Sequence, residues 1–306
     1  MSTQNENQPG GIKMTRRRTL SICVSTRGRI QEVERLCQSL IPVVKQGFEE
    51  WEILFVDQNP DSRIRNLAQS YQSLLPQVRY VATPKETGAS KGRNIALKEA
   101  CGEWLLFSDD DAWMIPDIMR RIQIEILDSD EQVVWLGRMV DLDGKSSHKG
   151  YPISVQWITD PQSLWAVSGF CLISRVAMDR IGLYDERLGL GTYFGGDEDT
   201  DLLLRGLDQG LQIRFDPALT FGHMANSHPS DAKVLGLARG RGALLGKYES
   251  TPFGRGLRQS VNQYLWNIRW KRPLARILGR KESAHHKQLI LSGVPQGYHD
   301  WKTIYG

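Results

Sequence analysis

Three consecutive carboxylates, Asp109, Asp110 and Asp111, directly follow the apolar run Trp104-Leu105-Leu106-Phe107. Like charges held together at the end of a buried strand repel one another, and a divalent cation carrying an anionic ligand relieves that repulsion. Oxygen ligation of this kind suits Mg2+ or Mn2+, which keep some water and take diphosphate oxygens as further ligands. An acidic turn capping the next helix would use the same residues without a metal; the apolar strand immediately before them favours the metal. A second cluster, Asp197-Glu198-Asp199-Thr200-Asp201, sets four carboxylates in five positions after a glycine-rich stretch. Crowding and partial burial there would push one carboxyl toward the behaviour of a general base, a role that commonly contributes about 10²–10⁴-fold to a rate. His223 follows a strand-like run and could reach the cation or a diphosphate on it.

The elements that must position these groups can be read from hydrophobic period. Residues 20–24, 52–56, 78–81 and 103–107 are short strand-like runs. Between them lie an amphipathic stretch carrying Val33, Leu36, Leu40, Val43 and Val44, a second carrying Ile64, Leu67, Ala68 and Tyr71 with Asp61 as its cap, and a helix over 89–100. This alternation predicts a parallel sheet with helices on its faces, and ligands collect beyond the carboxyl ends of such strands. Thr26, Asp57 and Asp109–Asp111 all fall at that edge. Further on, the pattern predicts a helix at 116–128, a strand at 133–140, an irregular loop at 141–161 and a strand at 167–173. A helix at 199–207 and a late edge strand at 211–215 follow. Residues 230–248 read as a helix whose Gly236, Gly240, Gly242 and Gly246 form two small-xxx-small pairs suited to close packing. Pro252 and Pro273 are expected to punctuate the tail.

A chain of 306 residues, 40% hydrophobic, can bury one large core or a core with an appendage. It has no apolar window long enough to span a membrane. Residues 1–17 read as a disordered lead-in without the apolar stretch of a secretory signal. The four cysteines are widely spaced, which argues against a cysteine zinc site and for a reducing, cytoplasmic setting. The net charge of +4 conceals an asymmetry: residues 239–287 hold twelve Lys and Arg against Glu249 and Glu282, about +10, leaving the remainder near −6. Leu, Ile, Tyr264, Trp266 and Trp270 interleave with that charge. An anionic membrane surface is the expected partner, peripherally, on the inner face of the membrane. Nucleic acid is excluded, because the front of the chain has no positive field to match; pairing of subunits through the tail stays open.

Taken in order, Ser21 to Arg29, the strand ending in Asp57, Gly88 to Asn94, Gly102 to Asp111, Gly169, and Gly196 to Asp201 resemble the family 2 inverting glycosyltransferases across roughly residues 19–225. The resemblance implies an α/β GT-A fold, the Rossmann-like core of nucleotide-diphospho-sugar transferases. Its central sheet would be mixed and mainly parallel, within residues 18–228, with a basic helical extension over 229–306. It further implies Thr26, Arg29, Asp57, Arg93, Asp109 and Asp110 on the donor, with Asp57 facing the base. Asp109 and Asp111 would be the metal-associated DxD pair, Asp111 the direct ligand, with His223 beside them. Asp199 would be the base, with Asp197, Glu198 and Trp165 on the acceptor side and Asp201 bracing the helix that follows. Trp157 and Tyr193 are further candidate sugar-stacking walls. Relatives often carry Asn at the position of Gly28, which leaves the shape of that first loop to be determined. The implied reaction moves a sugar from a nucleotide-sugar, a UDP-sugar being the expected donor, to a hydroxyl of a saccharide or lipid-linked acceptor in cell-surface or exopolysaccharide synthesis. Two rivals are a metal-dependent nucleotidyltransferase, for which Ser25 to Arg29 is too short a triphosphate loop, and a non-catalytic sugar-binding module.

Overall fold

The structure, a computed structural model, describes residues 19–45, 50–85, 87–126, 129–147, 150–167, 170–223 and 228–306. Strand β1 (Leu20–Thr26) is flanked in parallel by β2 (Trp51–Asp57), which carries β3 (Val78–Ala82) in parallel on its far side. Helices α1 (Ile30–Lys45), α2 (Arg63–Tyr71) and α3 (Ala89–Glu99) make the crossovers, and β4 (Trp104–Ser108) returns parallel to β1. The register sets Thr26 opposite Asp57 and Val24 opposite Ser108, so these strands deliver their last residues to one edge.

Beyond β4 the sheet becomes mixed. Its order is β3-β2-β1-β4-β8-β6-β9-β5, with the short β7 (Gln156–Ile158) also on β9. The added strands are β5 (Ala112–Trp113), β6 (Val133–Val140), β8 (Cys171–Ser174) and β9 (Gln212–His223). Helices α4 (Pro116–Arg121, continued as a π turn to Ile126), α5 (Pro161–Val167), α6 (Arg175–Ile181) and α7 (Glu198–Asp208) cover them. Strand alternation divides the apolar residues between two faces. Ile22, Val24, Ile53 and Phe55 pack toward α1 and α2, whereas Cys23, Leu54, Val56 and Phe107 share a core with Leu203 of α7.

Three expectations change. The strand predicted over 167–173 shrinks to β8, because Pro161–Val167 is helical: the Asp160 carboxylate accepts the N–H groups of Gln162 (2.9 Å) and Ser163 (3.0 Å), an N-terminal cap with proline at the first turn. The late edge strand is instead the long interior β9, paired to β6 on one side and to β5 and β7 on the other. Pro217 obscured it; a register shift between Leu136 and Arg138 accommodates the missing donor. Pro273 does not end its helix, for it lies on the exposed side of α9 (Gly254–Ile277). The remaining helices are α8 (Asp231–Tyr248) and α10 (Lys281–Tyr305).

The extension is packed into the same core, through Leu244 and Tyr248 of α8, Leu257 of α9 and Val294 of α10. The glycines of α8 serve two partners. Gly242 lies so close to α10 that an added Cβ would stand 2.0 Å from the Val294 carbonyl oxygen. Gly236 and Gly240 instead face the loop before α7: Gly195 N–H donates to the Gly236 carbonyl at 3.0 Å, and a Cβ on Gly240 would sit 2.6 Å from the Gly196 carbonyl oxygen. We therefore expect Gly240→Ala to lower unfolding free energy by about 1–3 kcal/mol, the usual cost of overpacking, and to lose activity through the displaced loop. Urea unfolding beside Gly242→Ala, which strikes α10 rather than the loop, checks this.

Candidate active site

The first wall of the site is a chain of hydrogen bonds linking the ends of β1 and β2. Gly28, at φ +75°, takes a backbone conformation that glycine adopts without penalty, and its N–H donates to Asn59 Oδ1 at 2.7 Å. Asn59 in turn donates from N and Nδ2 to Asp57 Oδ1, at 2.9 and 2.6 Å, and the Tyr80 hydroxyl donates to Asp57 Oδ2 at 2.9 Å. Asp57 is fully buried, with both oxygens engaged by the protein. Gln58 clamps the start of α3 reciprocally, donating to the Gly88 carbonyl (3.0 Å) and accepting its N–H (3.2 Å). Gly92 lets α3 lie directly on β1, since a Cβ there would be 1.9 Å from Ser25 Oγ.

So fixed, α3 presents Arg93 into the interior. Its Nη2 lies 3.2 Å from Asp109 Oδ1, and its Nη1 lies 2.8 Å from Glu198 Oε1 and 3.3 Å from Asp199 Oδ1. Tyr184 places its ring 5.4 Å beneath the same guanidinium, and Asn94 ties Tyr184 to α3 through both its backbone groups, at 2.8 and 3.0 Å. The two acidic clusters thus meet on one cation.

On the other side of the aspartate run, β5 pairs with β9 so that Ala112 faces His223. His223 Nε2 comes within 3.1 Å of Asp111 Oδ1 and 3.7 Å of Asp109 Oδ2. One ligand atom from each of Asp109, Asp111 and His223 lies within 4.8 Å of the others. Apart from its contact with His223, Asp111 Oδ1 is buried without a hydrogen-bond donor, and His223 Nδ1 is buried without a partner. Two carboxylates and an imidazole form a donor set that fits Mn2+ or Mg2+. Arg29 is the present counter-charge, 3.0 Å from Asp110 Oδ1 and in contact with Asp111.

These surroundings pull the carboxyls apart in acidity. Burial alone would raise Asp111, but His223 and Arg29 outweigh it and hold the group down at about 2. His223 is raised, because Asp111 and Asp109 overcome the opposing effect of burial. Asp110 is pushed up to about 6 by desolvation, against Arg29 and the Thr26 hydroxyl. Asp199 rises to about 7, first through desolvation, with Glu198 and Asp109 adding to it and Arg93 opposing. A permanently ionised ligand and a carboxyl able to take a proton near neutrality are the two states a metal site and a base require.

Thr26, Arg29, Arg93, Asp109, Asp110, Asp111 and His223 all line one cleft, together with Arg27 and Lys233. The cations ring an acidic floor, which complements a metal-bound diphosphate. Lys233 arrives from the first turn of α8, where nothing in the local sequence marks it. Asp57 stands behind this cleft wall, and Asp199 is reached from it through Arg93. Asp197 and Glu198, expected on the acceptor side, have protein partners. The Asp197 carboxylate accepts Arg241 Nε at 2.8 Å while its backbone sits at φ 64°, and Glu198 is buried against Arg93. Asp201 braces α7, accepting Arg205 Nε (3.0 Å) and the Tyr248 hydroxyl (2.9 Å) and pairing with Lys247. The Trp165 side chain lies outside the described residues. Tyr193 has its ring under Arg239 at 4.3 Å, and Trp157 is under Arg214 at 5.5 Å.

Residues 21–179 match the profile described as glycosyl transferase family 2, and the chain belongs to that family. An uncharacterized glycosyltransferase of Haemophilus influenzae is 26% identical over 197 residues, 62% of each chain. A putative teichuronic acid biosynthesis glycosyltransferase, TuaG of Bacillus subtilis, is 28% identical over 26% of this chain and 32% of its own length. The matched part therefore spans less than two thirds of these relatives. Among solved structures, a mannosyltransferase of Pyrobaculum calidifontis in complex with GDP-Man and Mn2+ superposes with a TM-score of 0.58 at 13% identity, over 94% of this chain and 88% of that one. TarS of S. aureus in complex with UDP-GlcNAc does so at 0.53 and 16% identity, over 93% and 92%. The shared fold is GT-A.

The raised Asp199 carboxyl has a consequence for stability. A carboxyl whose folded pKa lies above its unfolded value contributes stability that is present below about pH 4 and is lost as pH rises through about 7. Asp199→Asn removes that pH-dependent loss. We expect the variant's melting temperature to gain on that of the unaltered protein as pH goes from 5 to 8, in a thermal-unfolding series in matched buffers; a difference constant with pH contradicts the burial argument.

Proposed function

We propose that this chain is a metal-dependent glycosyltransferase that moves a sugar, with inversion, from a nucleoside-diphosphate sugar to a hydroxyl of a saccharide or lipid-linked acceptor. The observation that carries this reading is Arg93 joining Asp109 of the aspartate run to Asp199 of the second cluster. Leaving-group side and proton-accepting side then belong to one site. Asp109, Asp111 and His223 would hold Mn2+ or Mg2+, which when bound neutralises charge on the diphosphate leaving group.

The rest of the chemistry falls to side chains. Arg27 and Lys233 face the cleft and would bind diphosphate oxygens. Asp199 takes the proton of the acceptor hydroxyl as that oxygen bonds to the anomeric carbon and the carbon–diphosphate bond breaks. Attack from the side opposite the leaving group inverts the anomeric centre. Arg93 holds the base in line while leaving its pKa high enough to accept a proton. GDP-Man and UDP-GlcNAc in the two structural neighbours support a nucleotide-sugar donor, and Mn2+ in one of them supports the cation. A UDP-sugar is the donor we favour, and the likeness to TuaG supports a cell-surface polysaccharide as product. The inner face of an anionic membrane is where a lipid-linked acceptor would be presented.

Two experiments test this reading. In calorimetry with UDP-sugars and Mn2+, Asp111→Ala is expected to weaken donor binding, whereas donor affinity unchanged by EDTA contradicts the metal assignment. Asp199→Asn should retain donor affinity and lose about 10²–10⁴-fold or more in kcat. In the unaltered protein kcat should rise with pH and level off above about 7, since the base works only when ionised. Product of retained anomeric configuration by NMR contradicts direct displacement.

A further inference from the structure

Helix α9 is apolar on two opposite sides. One side packs into the protein through Leu257, Val261, Ile268 and Ala275. Opposite it, Trp266, Trp270, Leu274 and Ile277 follow one another at helical spacing, with Leu278 just beyond, and all five are between 56% and 81% exposed. The stripe runs about 18 Å at the α-helical rise. Trp266 and Trp270 pack edge to face with centroids 5.9 Å apart, which presents a preformed aromatic surface. Solvated monomers seldom expose such a patch without a use for it.

The charge beside the stripe has one sign. No Asp or Glu occurs between Glu249 and Glu282. Among the described residues, Arg269, Lys271, Arg272, Arg276, Arg280 and Lys281 make no ion pair with a carboxylate. Arg272, Arg276 and Lys281 converge with Ala284, His285 and Gln288 of α10 on a surface pocket. That pocket lies on the α10 side of α9, whereas Arg269 and Lys271 flank the exposed stripe on its two sides at helical spacing. Cations beside exposed tryptophans match a layer of lipid phosphates above acyl chains. No described helix is long and apolar enough to cross a membrane, so contact would be along the surface.

We propose that the Trp266–Leu278 side of α9 docks on an anionic membrane, with lipid phosphates at Arg269 and Lys271. The C-terminal half of α9 approaches the cleft through the pocket it shares with α10. His285 of the pocket pairs with Asp231 at 2.8 Å, and His286 pairs with the same carboxylate at 3.3 Å. Asp231 opens α8 two residues before Lys233, which lines the cleft. A membrane held at α9 would therefore sit beside the mouth of the cleft, where a lipid-linked hydroxyl can enter; this last step rests on the transferase reading, the docking itself does not.

Vesicle co-sedimentation of the full chain, with no metal, donor or acceptor present, tests the docking. Binding is expected to phosphatidylcholine vesicles containing phosphatidylglycerol and not to phosphatidylcholine alone, and to weaken with salt. Trp266→Ser with Trp270→Ser should lower vesicle affinity at least about tenfold, and Arg269→Gln with Lys271→Gln about fivefold per charge removed, from roughly 1 kcal/mol per cation. The tryptophan variant's melting temperature should stay unchanged, because these side chains are exposed. Three outcomes overturn the proposal: equal binding to both vesicle types, full binding by both variants, or a dimer in sedimentation equilibrium that the tryptophan pair abolishes. Any of them leaves the transferase reading intact, while a chain without turnover that still binds anionic vesicles removes that reading and leaves the docking.

Discussion

Arg93 is the contact on which the site depends. A guanidinium buried this deeply requires carboxylates around it, and three are supplied from two distant stretches of chain: Asp109, Glu198 and Asp199. The same contact ties α7 to the end of β4, so that the two acidic clusters share one guanidinium. Counting Asp110 and Asp111, five carboxylates surround two guanidiniums, Arg93 and Arg29. The imbalance is relieved in part by the raised pKa values of Asp110 and Asp199, which favour their neutral forms. A divalent cation would relieve the rest, letting Arg29 turn toward an incoming phosphate.

That arrangement needs support from outside the sheet, and α8 provides it. Arg241 holds Asp197 in a left-handed conformation at the start of α7, and Lys247 bridges Asp201 of α7 and Asp185. Left-handed backbone at a non-glycine residue costs roughly 1–3 kcal/mol and persists because these partners over-determine it. The glycine faces of α8 let the loop before α7 and α10 approach its backbone from two directions. The C-terminal helices are thus structural partners of α7, and α9 is the face left free for other contacts.

Legibility in the sequence followed the range of the interactions. The strand–helix alternation through residue 108 was readable because apolar period is local, and the aspartate run and Asp199 were readable because their charge density is local. The long β9 was hidden by Pro217, and α5 by an apolar stretch that reads equally well as strand. No local pattern could show that Arg93 spans 16 residues to Asp109 and 105 to Glu198, or that Lys233, Gln58 and Arg241 serve the site. Asp57 illustrates the converse: its place at a strand end was plain, but its enclosure by Asn59 and Tyr80 depends on loops folding over it.

The most direct measurement is anomalous scattering from crystals soaked in Mn2+ and UDP. A manganese peak bound jointly by Asp109, Asp111 and His223, with diphosphate oxygens completing its shell and Asp199 across the cleft, is the result this account predicts. Manganese bound elsewhere, or UDP seated in the cleft with none beside those three side chains, would contradict it.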